Sequence, residues 1–106
     1  MPIALSTVDP EFSSELRRLL TAAGEDALAA QVASLDVVDR CRCGEEQCAT
    51  FYTQPKPAGA YGPSLRSVQL SPNLGMLILD VVEERIACVE VLDDDRFRRR
   101  LLLACP

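Results

Sequence analysis

Cysteine is the residue type with the most chemistry to offer in this chain. Three of its five cysteines fall within eight residues, Cys41-Arg42-Cys43-Gly44-Glu45-Glu46-Gln47-Cys48. If Gly44–Gln47 forms a hairpin loop, Cys43 faces Cys48 across it and Cys41 lies on the same face, with opposed Cβ atoms ~4.5–5.5 Å apart. Three kinds of chemistry fit such a group. Thiolates bind zinc, which takes four ligands, so Cys88, Cys105 or Asp39 would have to complete the set. A pair of thiols can cycle as a disulfide, and Arg40 and Arg42 would favour the thiolate while Glu45 and Glu46 oppose it. Cysteine is also a small, commonly buried hydrophobe. The C-x-C-x4-C spacing departs from the usual C-x2–4-C pair of structural zinc sites, so the expectation here is structural thiols and no cofactor. Zinc or redox use of Cys41, Cys43 and Cys48, with Cys88 as a further candidate, is the alternative.

Other routes to chemistry are narrow. The chain has no histidine, which removes Ser-His-Asp and Cys-His catalysis, histidine general bases and histidine ligands. Gly59-Ala60-Tyr61-Gly62 lacks the Lys-Ser/Thr of a phosphate loop. No catalytic residues are assigned, and the balance leans away from an enzyme. The net charge of −5 repels phosphate backbones, which disfavours nucleic acid as a partner. The one basic run, Arg96 to Arg100, follows Asp93-Asp94-Asp95, an order that suits a helix dipole. No apolar run is long enough to span a bilayer, and MPIALSTVDP lacks the features of a signal peptide. Cys105 is second from last, so the end is no prenylation box. A cytoplasmic location with reduced thiols is the expectation, and a basic complement of arginines with only Lys56 suggests a GC-rich bacterial source.

The elements that must position these residues are organised around Leu74–Leu92. Strand side chains alternate faces. Leu77, Leu79 and Val81 share one face with Ala87, Val89 and Val91, the core face. Met76, Ile78, Asp80, Val82, Ile86, Glu90 and Leu92 make a second, mixed face. Keeping the core face whole across a regular hairpin demands an odd number of turn residues, so a three-residue turn near Val82–Arg85 is predicted over a two-residue turn at Glu83-Glu84. The mixed face is greasier than a monomer ordinarily leaves exposed. It is the predicted interface, for a homodimer or a protein partner. An inhibitor-like or immunity-like role toward a basic target is an analogy only.

Upstream, Asp9-Pro10-Glu11 starts a helix, with Asp as N-cap and Pro at the first helical position. Phe12, Leu16, Leu19 and Leu20 give it an apolar stripe, and Gly24 ends it. A second helical run covers about Glu25 to Leu35. Strands are predicted over Val37–Cys43, Cys48–Thr53 and Leu65–Leu70, separated by a Pro/Gly-rich loop from Gln54 to Pro63. Phe97, Leu101 and Leu102 are expected to dock on the body. The fold class is therefore α+β over a single domain, residues 1–106. An N-terminal helical pair packs on one face of an antiparallel meander of about five strands, α-α-β-β-β-β-β, with a short C-terminal helix.

The pattern Arg40-Cys41-x-Cys43-Gly44, then Cys48 and Phe51, followed by the apolar hairpin ending Val89-Glu90-Val91, resembles a group of small bacterial proteins. They occur in actinobacteria and some proteobacteria, with no established activity. The resemblance covers about Val37 to Leu92. In that group the cysteines sit closer together, and a glycine occupies the central turn where this chain has Glu83-Glu84.

Overall fold

The structure is a computed structural model that describes residues 2–106. Strand β1 (Ile3–Ala4) leads into a single helical turn, α1 (Leu5–Val8), and then α2 (Pro10–Ala22). Helix α3 (Asp26–Gln31) runs on into a 3-10 turn at Val32–Ser34. Short strands β2 (Asp36–Val37), β3 (Asp39–Arg40) and β4 (Phe51–Tyr52) are followed by longer ones, β5 (Leu65–Leu70), β6 (Met76–Val82) and β7 (Arg85–Leu92). Helix α4 (Asp95–Ala104) closes the chain. Strands β3-β4-β7-β6-β5 form one antiparallel sheet in that order, and β1 pairs with β2 in a small sheet of its own. The class is α+β, with helices followed by an antiparallel sheet.

The predicted N-cap holds. Asp9 Oδ1 accepts from the backbone N–H groups of Glu11 and Phe12, both at 3.1 Å, while Pro10 occupies the first position, where a missing N–H costs nothing. Asp9 is fully buried, and its charge is met by Arg96 of α4, 3.0 Å from Nη1 to Oδ2, with Arg100 nearby. One carboxylate thus caps α2 and ties it to α4. Beside it Phe12, Phe51 and Phe97 form an aromatic cluster, Phe12 and Phe97 stacked with centroids 3.8 Å apart. Phe97 and Leu101 are buried as expected of the C-terminal segment; Leu102 is half-buried and Leu103 lies in solvent. Helices α2, α3 and α4 therefore share one core with a single face of the sheet.

The central hairpin has a two-residue turn, not three. Val82 pairs with Arg85, leaving Glu83 and Glu84 as the loop, both at positive φ (51° and 60°), as a tight hairpin turn with native twist requires. Leu77 nonetheless faces Val91 and Leu79 faces Val89. A bulge reconciles the two: Asp80 pairs with Cys88 but Val81 pairs with Ile86, so Ala87 is an extra residue. It supplies the odd residue that the turn was expected to supply. The face assignment survives for Leu77, Leu79, Val81, Val89 and Val91. Ile86 changes side, joins the core and is withdrawn from the predicted interface.

A second tight approach lies at the other end of this hairpin. Gly75 has φ of +69°, and a Cβ there would sit 1.9 Å from the Leu92 carbonyl oxygen, so only glycine fits where the chain enters β6. Upstream, Val37 pairs with Ile3 in the small sheet instead of extending the cysteine hairpin. The ladder of that hairpin spans Asp39–Arg40 against Phe51–Tyr52 alone, so Cys41, Cys43 and Cys48 stand beyond it in a loop. 

The strain at Glu83 yields a direct check. A non-glycine residue in the left-handed region costs roughly 1–2 kcal/mol, and glycine returns roughly 0.5–1 kcal/mol of that as chain entropy. Glu83→Gly should therefore stabilise the fold by about 0.5–1 kcal/mol, raising Tm by roughly 2–8 °C. An unchanged or lowered Tm in thermal unfolding would show that the turn is not strained.

Candidate functional site

The sheet face opposite the helices carries a group of titratable side chains. Strand β7 presents Cys88, Glu90 and Leu92 there, and β6 presents Met76, Ile78, Asp80 and Val82. Strand β4 adds Tyr52, paired with Cys88. The Pro/Gly loop folds back over this surface and sets Tyr61 against Asp80, Cys88 and Glu90, enclosing a cleft of about 380 Å³. Cys41 and Cys48 line the same cleft.

Beyond the last ladder pair the β3–β4 register continues to set Cys43 opposite Cys48, and Cys48 is tied in addition to β7. Cys48 forms an isolated bridge to Leu92, Asp93 donates to the Gln47 carbonyl at 2.9 Å, and Ala49 donates to the Val91 carbonyl at 2.8 Å. Cys41 donates its backbone N–H to the Thr50 carbonyl at 2.8 Å, and Thr50, buried, accepts from Val91 through its hydroxyl. Gly44 takes φ of +80° to reverse the loop. The outcome is three sulfurs, of Cys41, Cys43 and Cys48, all within 4.8 Å of one another. Proximity was predicted, and the β3–β4 register is the one that sets Cys43 opposite Cys48; the further tie of Cys48 to Leu92 of β7 was not predicted.

The thiols are unequal. Cys43 is exposed and its pKa is lowered, first by the backbone N–H of Glu45 turned toward its sulfur, then by hydrogen bonds from Cys48 and Cys41. Cys41 is half-buried and burial raises it. Cys88 is buried beside Asp80 and Glu90, and burial pushes it up to about 12, so it is a protonated, inert thiol of the kind expected of a small hydrophobe. That structural expectation fits Cys88 and does not fit exposed Cys43. All five cysteines are free thiols.

Among the described residues no fourth His, Cys, Asp or Glu donor joins the trio at that mutual distance. Asp39 and Cys105 are engaged elsewhere: Asp39 Oδ1 lies 3.0 Å from Arg42 Nη2 and 3.9 Å from the Cys105 sulfur. Cys88 remains on the sheet, across the cleft. The sulfurs also border a small cavity of about 30 Å³ against α4, with Arg40 and Arg98 in its wall, room for one small occupant. Arg98 Nε is the one buried side-chain nitrogen or oxygen among the described residues without a hydrogen-bond partner.

Asp80 and Glu90 are the second constellation. They are half-buried diagonal neighbours on β6 and β7. Burial raises the Glu90 pKa, and the charge of Asp80 and the hydrogen bond that the protonated Glu90 carboxyl donates to it raise it further. Tyr61 is pushed up to about 12, first by burial, and Tyr52 is raised in the same direction. Sequence periodicity gave no sign of Tyr61 in this cleft, because the loop that carries it has no period to read.

Comparison of the chain with protein-family models, curated proteins and solved structures gives no match. Among the described residues no helix is long and apolar enough to cross a membrane.

Proposed function

We propose that the protein binds a thiophilic metal ion, zinc in the first instance, through Cys41, Cys43 and Cys48. One observation carries this reading: the three sulfurs lie within 4.8 Å of one another. Zinc–thiolate bonds of ~2.3 Å in a tetrahedron put sulfurs about 3.8 Å apart, so closure on an ion moves them by about an ångström at most. Glu45's N–H on the Cys43 sulfur favours its deprotonated form. Three thiolates around Zn²⁺ carry one net negative charge, for which the unpartnered Arg98 Nε is a counterpart. Three protein ligands leave a fourth position free, the arrangement of zinc sites that exchange or activate a ligand.

Protein titrated with zinc and then dialysed should retain one ion per chain, with three thiols protected from alkylation. Cys43→Ser should weaken binding at least tenfold, and affinity should fall toward pH 6 as the thiols take up protons. Zinc lost on dialysis, or a Cys43→Ser variant that binds equally well, contradicts the reading. Disappearance of two titratable thiols during aerobic purification would favour the Cys43–Cys48 disulfide instead.

A second reading rests on a different part of the same face. Beyond the Pro/Gly loop, Met76 is 45% exposed and Leu65 40% exposed, with Ile78 and Val82 half-buried between them. Leu65 pairs with Val82 beside the sheet edge, which is β5. An open six-residue edge flanked by apolar side chains invites a second copy. In this reading the protein is a homodimer through that strip. Ile78→Arg places a charge in the contact and should convert a dimer into a folded monomer in sedimentation velocity. A wild-type monomer at millimolar concentration rules the self-association out.

A further inference from the structure

The loop-covered cleft holds an imbalance of charge that the thiol site does not explain. Asp80 and Glu90 sit side by side, half-buried, at the base of a cleft of about 380 Å³. Most other partly or fully buried carboxylates have arginine partners: Asp9 has Arg96 and Arg100, Glu15 has Arg18, Glu25 has Arg66 and Asp39 has Arg42, while Asp94 caps α4 through the Phe97 N–H. Among the described residues, neither Asp80 nor Glu90 has an ion pair. With no arginine in reach among those residues, the two carboxyls partly drawn out of water meet each other, Glu90 being held toward its neutral form by burial and by Asp80, and a cation that entered the cleft would stabilise both as carboxylates.

The walls suit a cation of a particular kind. Tyr52 and Tyr61 flank the acid pair, and an aromatic face attracts ammonium within about 6 Å of its centroid. The chain already shows this preference: the Lys56 ammonium, carried on the loop that forms the rim, stands 5.6 Å from the centre of the Tyr52 ring. A bare metal cation would want more oxygen ligands than two carboxylates supply. An amine with an apolar body uses both the acid pair and the rings, and the volume is in the range of small-molecule sites.

We propose that this cleft is a binding site for a small organic ammonium, with Asp80 and Glu90 as its counter-ions and Tyr52 and Tyr61 as its walls. Lys56 is then the resident competitor at the rim, displaced when the ligand enters. The site is separate from the metal reading, although Cys41 and Cys48 border the same cleft.

The chain has two tyrosines and no tryptophan, so ultraviolet difference spectra and intrinsic fluorescence report on this cleft alone. The probes are phenethylammonium chloride and its neutral counterpart 2-phenylethanol, titrated into the full-length protein with a chelator present. The ammonium should give a saturable tyrosine signal and the alcohol should bind at least tenfold more weakly. The paired substitution Asp80→Asn with Glu90→Gln, which keeps the shapes of the two side chains and should leave the circular dichroism unchanged, should weaken the ammonium at least tenfold. Should the pair fail to fold, Glu90→Gln alone reads the same loss in smaller measure. Lys56→Gln should tighten it several-fold. Equal binding of ammonium and alcohol, indifference to the acid substitutions, or no saturable signal with the ammonium up to tens of millimolar each overturns the assignment. Because chelator is present throughout, failure here leaves the thiol site untouched, and failure of zinc binding leaves this site untouched.

Discussion

Strand β7 has to satisfy two neighbours at once, and the rest of the structure follows from how it does so. Toward β6 it must keep Val89 and Val91 opposite Leu79 and Leu77, because that face meets the helices. Toward β4 and the loop before it, it must hold Tyr52 at Cys88, Phe51 at Val89 and Cys48 at Leu92. A two-residue turn alone would set the wrong parity, since a slip of one residue exchanges the faces of a strand. The bulge at Ala87 absorbs the difference. It leaves Ile86 in the core while Cys88, Glu90 and Leu92 remain on the opposite face, where the cleft forms.

The distribution of charge divides the molecule the same way. On the helical side carboxylates are paired with arginines: Asp9, fully buried, is gripped by α4, and Glu25 takes a bidentate contact from Arg66 at 2.9 and 3.0 Å. These contacts anchor elements to one another. On the other face Asp80 and Glu90 have no arginine partner among the described residues, and at the end of the sheet the thiols of Cys41, Cys43 and Cys48 gather beside the arginines lining the small cavity. Groups left without a structural partner are the ones free to take an external one, and charge-bearing side chains with shifted pKa values in a cleft are where binding sites tend to lie.

Much of this was legible in the residues. Strict alternation through Leu77–Val82 identifies the core face without ambiguity, and Asp9-Pro10-Glu11 marks a helix start by local chemistry alone. The closeness of Cys41, Cys43 and Cys48 follows from a loop bounded by Gly44. What could not be read were features set by distant partners. The Ala87 bulge arises because a tight turn and a buried face both constrain one strand, and neither leaves a local signature. Pairing of Ile3 with Val37 shortens the cysteine hairpin from a distance of more than thirty residues. The fit of Tyr61 over Asp80 and Glu90 depends on the path of a loop rich in proline and glycine. Cys43, read as a hydrophobe by its residue type, is exposed because the ladder ends before it.

The proposed metal site requires that the β3–β4 loop, tied to β7 at Cys48, deliver three sulfurs to one ion and leave its fourth position to a ligand from outside the trio. X-ray absorption at the zinc edge of the loaded protein tests it most directly. Three sulfur scatterers at ~2.3 Å and one light atom, oxygen or nitrogen, at ~2.0–2.2 Å are expected. A shell with two or fewer sulfurs, or with only light atoms, would contradict it, and four sulfurs would mean that Cys88 or Cys105 leaves its place to close the site.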